Sequence, residues 1–174
     1  MRIRTLCIVL LSMLFISCFS IKPQISKTGV NLWEEFYVSP GVIQYFIKPL
    51  PFKSQNRNID IDFTFRNVSD SVTVNYSIFS ELTYFHPDTV IISNGIKTVQ
   101  ICSSITLVSE IDQKKYKLRQ SGKISLAELK ILTRNNNWAI TLKNNHELDC
   151  FFGSIKTKDK IKSINDNLVN QINN

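Results

Sequence analysis

The stretch Ile59–Arg66, IDIDFTFR, decides the fold of this chain. Its apolar members Ile59, Ile61, Phe63 and Phe65 alternate without a break with Asp60, Asp62, Thr64 and Arg66. Successive side chains of a strand point to opposite faces, so a period of two describes a strand with one buried face and one wet face. Asp60 and Asp62 therefore share a face. Paired carboxylates can do acid–base work or hold a cation, but on an alternating strand they take the solvent face by default.

Moving toward the C-terminus, Asn67–Asp70 reads as a turn, and Val72, Val74, Tyr76 and Ile78 alternate with polar neighbours to make the antiparallel partner. Asn94-Gly95 sits between the apolar runs 89–93 and 96–101, the sequence signal of a two-residue type I′ hairpin. Segments 103–111 and 113–119 read as a further strand and its return. Lys114, Lys115, Lys117 and Arg119 cluster on that return and are read as charges guarding a solvated edge strand. The period then changes. Ser125 and Glu128 have capping-box spacing, so a short helix should start at Leu126 and end near Arg134, before the asparagine run 135–137. Strands follow at 138–142 and 148–152. Ile161, Ile164, Leu168 and Ile172 then recur at helical spacing, predicting an amphipathic helix over about 157–174 with Thr157 as its cap. Lys156, Lys158, Lys160 and Lys162 crowd the start of that helix, the wrong end for its dipole, so it should fray unless docked.

Toward the N-terminus, Val42–Ile47 reads as a strand that Pro49 and Pro51 stop or confine to a sheet edge. Trp33, Phe36 and Tyr37 stand at i, i+3 and i+4, which predicts a short helical turn broken by Pro40-Gly41. Residues 18–30 are mixed, without a clear period, and read as a tether. The first stretch, MRIRTLCIVLLSMLFISC, has a positive start in Arg2 and Arg4 and an apolar run from Leu6 to Ile16, the pattern of a secretory signal peptide. That run is shorter than the roughly 20 apolar residues needed to cross a membrane. Phe15-Ile16-Ser17 leads directly into Cys18, and this ending resembles the lipobox of bacterial lipoproteins, with Phe15 in place of the usual Leu. The resemblance covers residues 1–18 only. It implies cleavage after Ser17, a lipid on Cys18, and anchoring to a membrane of the cell envelope after export. Several acyl chains anchor stably, because each buried methylene contributes about 0.8 kcal/mol while one chain binds only marginally.

Composition supports a folded domain. Removal of 17 residues from 174 leaves a chain of single-domain length, and 43% hydrophobic with 20% charged residues is a globular balance. The predicted organisation is a signal peptide at 1–17, a lipid-anchored tether at 18–30 and one domain at 31–174. The net charge of +7 falls to +5 once Arg2 and Arg4 leave, a modest excess that serves solubility and membrane proximity and does not call for nucleic acid. Of four cysteines, Cys7 leaves and Cys18 takes lipid. Cys102 and Cys150 remain in an oxidising compartment, either bridged or as two buried thiols.

The chain after Cys18 contains no Gly-rich phosphate loop, no Gly-x-Ser-x-Gly, no His-Glu-x-x-His and no Cys-x-x-Cys. His86 and His146, its only histidines, read as loop residues without a metal. The pattern of many short strands and two brief helices predicts a mainly β domain. It would be an antiparallel β-sandwich or open barrel with a short internal helix and a C-terminal amphipathic helix. The functional expectation is a non-catalytic binding or structural module. It would be held to the membrane through Cys18, with no cofactor, and its sheet or loops would meet another envelope protein or the membrane itself. The alternatives are a small hydrolase without a recognisable motif, favoured if a histidine meets a hydroxyl or carboxylate in a cleft, and a carrier of an apolar ligand. A free edge strand or an exposed apolar patch would favour the binding module.

Overall fold

A computed structural model describes residues 32–55, 57–81, 86–102, 104–112, 115–144 and 148–172, apart from the side chains of Cys102 and Asp112. The predicted signal peptide and tether, including Cys18, lie outside the described residues. In chain order the elements are β1 (Trp33–Ser39), β2 (Val42–Lys53), β3 (Arg57–Arg66), β4 (Ser71–Ser80), β5 (Thr89–Ser93), β6 (Thr98–Cys102), β7 (Ile105–Asp112) and β8 (Lys115–Ser125). There follow α1 (Leu126–Thr133), β9 (Ala139–Lys143), β10 (Leu148–Gly153), α2 (Ile155–Asn167) and a 3-10 turn at Val169–Gln171. The strands form one antiparallel sheet in the order β6-β5-β9-β10-β2-β3-β4-β8-β7, with β1 alongside β2. The sheet curls into a half-barrel. This is the open form of the expected β architecture.

The alternation that opened the sequence reading builds the centre of the sheet. Ile59, Ile61, Phe63 and Phe65 of β3 are buried, as are Val72, Val74, Tyr76 and Ile78 of β4, and the two strands pair as a hairpin. Both helices turn their apolar stripes to this face. Leu129 and Thr133 of α1 meet Ile161 and Ile164 of α2 beside Ile47, Leu50, Phe63 and Trp138, and the space among them has no room for a water molecule. Trp138 stacks on Phe52 at 6.4 Å and meets Phe63 edge-on at 5.9 Å.

The capping box forms as its spacing predicts. Ser125 Oγ accepts the Glu128 N–H at 3.1 Å, and Glu128 Oε2 accepts the Ser125 N–H at 2.9 Å. At the other end of α1 the orphan carbonyls are met by side chains from outside the helix. Asn94 Nδ2 donates to Ile131 O and Leu132 O, and Trp138 Nε1 also donates to Leu132 O. That work by Asn94 changes the hairpin it belongs to. Its Oδ1 also accepts the N–H groups of Ile96 and Lys97, and Ser93 pairs with Thr98, so the β5–β6 loop has four residues instead of the predicted two.

Other expectations need correction. Trp33, Phe36 and Tyr37 lie on β1, because the backbone of β2 offers that segment a full antiparallel partner and Pro40-Gly41 makes the hairpin turn with Gly41 at φ 75°. β2 does not stop at its prolines; it runs on to Lys53 through a bulge between Ile47 and Leu50. Pro49 and Pro51 are tolerated because β1 flanks β2 only up to Ile47 and β10 only at Phe52 and Lys53, so between them the strand is locally an edge. β8 is not an edge strand either, since it lies between β4 and β7. The C-terminal helix starts at Ile155, with Ser154 and not Thr157 as its cap. Burial of Ile161 and Ile164, each worth about 1.5–3 kcal/mol, outweighs an unfavourable dipole contribution of about 0.3–1 kcal/mol per lysine.

Candidate functional site

Three arrangements of side chains stand out from the scaffold. The first is the edge strand β7. Among the described residues it pairs only with β8, and its other side carries no strand. Ile105, Leu107 and Ile111 are 69%, 52% and 79% exposed on it, and it contains neither Lys nor Pro to discourage pairing. A bulge between Thr106 and Val108 interrupts its register with β8.

The second lies where the curled sheet approaches closure. β6 packs across to β8, and Ile101 stands so close to Gly122 that a Cβ there would lie 2.3 Å from Ile101 Cγ2. Beside this contact the inner face turns polar. Tyr76 donates to Ser104 Oγ at 2.6 Å, and burial pushes the Tyr76 hydroxyl above its ordinary pKa although the bond to Ser104 opposes the shift. Gln120, fully buried, donates through Nε2 to His86 Nε2 at 2.9 Å and to Thr106 Oγ1 at 3.2 Å. Its Oε1 is buried without a hydrogen-bond partner among the described residues.

His86 Nε2 stands 3.3 Å from Thr106 Oγ1, so the histidine does meet a hydroxyl. The same Nε2 lies closer to Gln120 Nε2, at 2.9 Å, so the ring nitrogen is shared between an amide and a hydroxyl. The arrangement joins the loop before β5 to β7 and β8.

The third is an ion-pair network on the outer face. Asp62 Oδ2 accepts from Arg119 Nη2 at 2.7 Å, Asp62 Oδ1 accepts from Asn75 Nδ2 at 2.7 Å, and Arg119 Nη1 reaches Ser77 Oγ at 2.7 Å. The network spans β3, β4 and β8 and forms part of a shallow cleft of about 260 Å³, with Phe46, Thr64 and the Lys48–Glu34 pair around it. Asp60 and Asp62 share this face as expected, but Asp62 is only 9% exposed and spent on Arg119. Burial raises the Asp60 carboxyl above its ordinary value, and the charge of Asp62 adds to the shift, while Lys160 and Arg119 oppose it. Lys115 and Lys117 are likewise matched, to Glu81 and Glu110, so these members of the basic cluster serve ion pairs across the sheet. Lys114 lies outside the described residues.

Cys150 is an exposed free thiol on β10. Register sets the Cys102 backbone three strands away, across β5 and β9, a separation of about 14 Å that exceeds the reach of a disulfide. Cys150, being exposed, is not the buried thiol that one of the two sequence readings expects. His146 lies outside the described residues. Among the described residues no group of three or more His, Cys, Asp or Glu gathers into a metal site, and no helix is long and apolar enough to cross a membrane.

Sequence reasoning did not find Gln120, Thr106 or Ser104, because each is an ordinary polar residue until register aligns β8 with β4 and β7. Gln120 alone carried a signal. It occupies an apolar parity position of β8, between Leu118 and Gly122. Comparison with protein-family models, with curated proteins and with solved structures finds no match to this chain.

Proposed function

We propose that this chain is an exported envelope protein, tethered to a bacterial membrane by lipid on Cys18, whose β domain is a non-catalytic module that binds another envelope protein by strand addition to β7. The observation that carries the binding reading is the open edge of β7 with its three exposed apolar side chains. Added strands gain main-chain hydrogen bonds from such an edge and select partners through alternate side-chain pockets. The tether rests on the likeness of residues 1–18 to a lipoprotein signal.

The two parts are tested separately. For the tether, radiolabelled palmitate enters the wild-type chain in a bacterial host and fails to enter Cys18→Ser; equal labelling of both would refute it. For the edge, a photocrosslinking residue at Leu107 gives one discrete adduct in intact envelopes, whereas the same residue at Val68, 66% exposed elsewhere, gives none. Adding Ile105→Lys and Ile111→Lys abolishes the adduct without changing the circular dichroism. An adduct that survives both lysines, or no adduct from Leu107, rejects strand addition.

A further inference from the structure

The outer face of β10 and the first turn of α2 carry a second surface, unlike β7 in chemistry. Leu148, Cys150 and Phe152 alternate with the core-facing Phe151, and Leu148 and Phe152 are 66% and 63% exposed. Ile155, at the start of α2, is 79% exposed. Register sets Lys143 opposite Leu148 and Lys53 opposite Phe152, and Lys156 follows Ile155 in the chain; all three lysines are exposed. None of them has an acidic partner among the described residues, whereas Lys48, Lys115 and Lys117 are each paired. Of the acids nearby, Asp149 points to the other face and pairs with Arg57, Asp159 stands one helical turn beyond Ile155, and the exposed Asp88 donates its backbone N–H to Lys143 O.

We infer that this face docks on an anionic phospholipid surface, with Leu148, Phe152 and Ile155 entering below the headgroups and Lys53, Lys143 and Lys156 meeting phosphates. Charge complementarity selects that occupant. Large exposed apolar side chains ringed by unspent ammonium groups fit an interface that is apolar inside and negative at its rim, and lysine stems can lie along apolar surface while their heads reach phosphate. The surface lies four strand-to-strand steps from β8 in the sheet order and five from β7, so docking here leaves the β7 edge free.

The test places a tryptophan at the centre of the patch in the full chain, Phe152→Trp. Trp33 and Trp138 are 4% and 2% exposed, so they are shielded from a quencher in the bilayer. With vesicles of phosphatidylcholine and phosphatidylglycerol carrying brominated acyl chains, the new emission is quenched and blue-shifted. With phosphatidylcholine alone it is not. Lys53→Glu, Lys143→Glu and Lys156→Glu each raise the lipid concentration required by about fivefold, and high salt does the same.

An introduced tryptophan that stays unquenched in a folded chain overturns the proposal, as does quenching that is indifferent to lipid charge. Shielding of that indole in native envelopes without bromolipid quenching would assign the face to an acidic protein instead. Quenching in a Cys18→Ser background reports this face alone, so loss of the tether and loss of docking are told apart.

Discussion

Asp62 and Arg119 form a half-buried pair whose remaining hydrogen bonds run to Asn75 and Ser77. Removing the acid strands a guanidinium and an amide together, and an unpaired, partly buried polar group is costlier than the pair itself is stabilising. Asp62→Ala should therefore lower stability by about 2 kcal/mol in urea unfolding. Combining it with Arg119→Ala should cost less than the sum of the two single changes. Asp60 behaves differently. Its folded pKa is raised, so its charged form is disfavoured by folding, and its penalty is present at neutral pH and relieved as pH falls through the raised value. Asp60→Asn should stabilise the chain at pH 7, and the gain should vanish below the ordinary carboxylate range, as thermal melts across pH would show. The shared face of these two acids was legible from alternation. The arrival of Arg119, 57 residues away, was not, because only the pairing of β4 with β8 aligns it.

At the level of elements, strands with one wet face and the capped helix α1 were readable, since alternation and capping chemistry are local. The elements misread were those whose state depends on a neighbour. β1 is a strand because β2 lies beside it, and β2 survives two prolines because its flank is vacant there. The same dependence governs the approach of β6 to β8. Gly122 leaves space that Ile101, 1% exposed, fills completely. A methyl group there meets a β-branched side chain with little room to rotate, so Gly122→Ala should destabilise by about 1–3 kcal/mol. In an Ile101→Ala background the same change should be nearly neutral. Equal penalties in both backgrounds would show that the contact does not limit closure.

For the molecule as a whole, the order of strands in space departs from their order in the chain at three places, β5–β9, β10–β2 and β4–β8. β5 and β6 join the larger block β2-β3-β4-β8-β7 through β9 and β10, and β10 meets β2 at only two residue pairs. The interior is then filled by α2, whose Thr157 Oγ1 donates to Pro51 O across 106 residues. Such long-range pairing is slow, since loop-closure entropy must be met before the contact forms. A chain emerging N-terminus first can assemble the β2–β4 meander early, yet it holds an unfinished sheet until residues 139–172 have been delivered. The last segment to arrive, residues 139–172, is thus the one that joins β5 and β6 to the rest of the sheet.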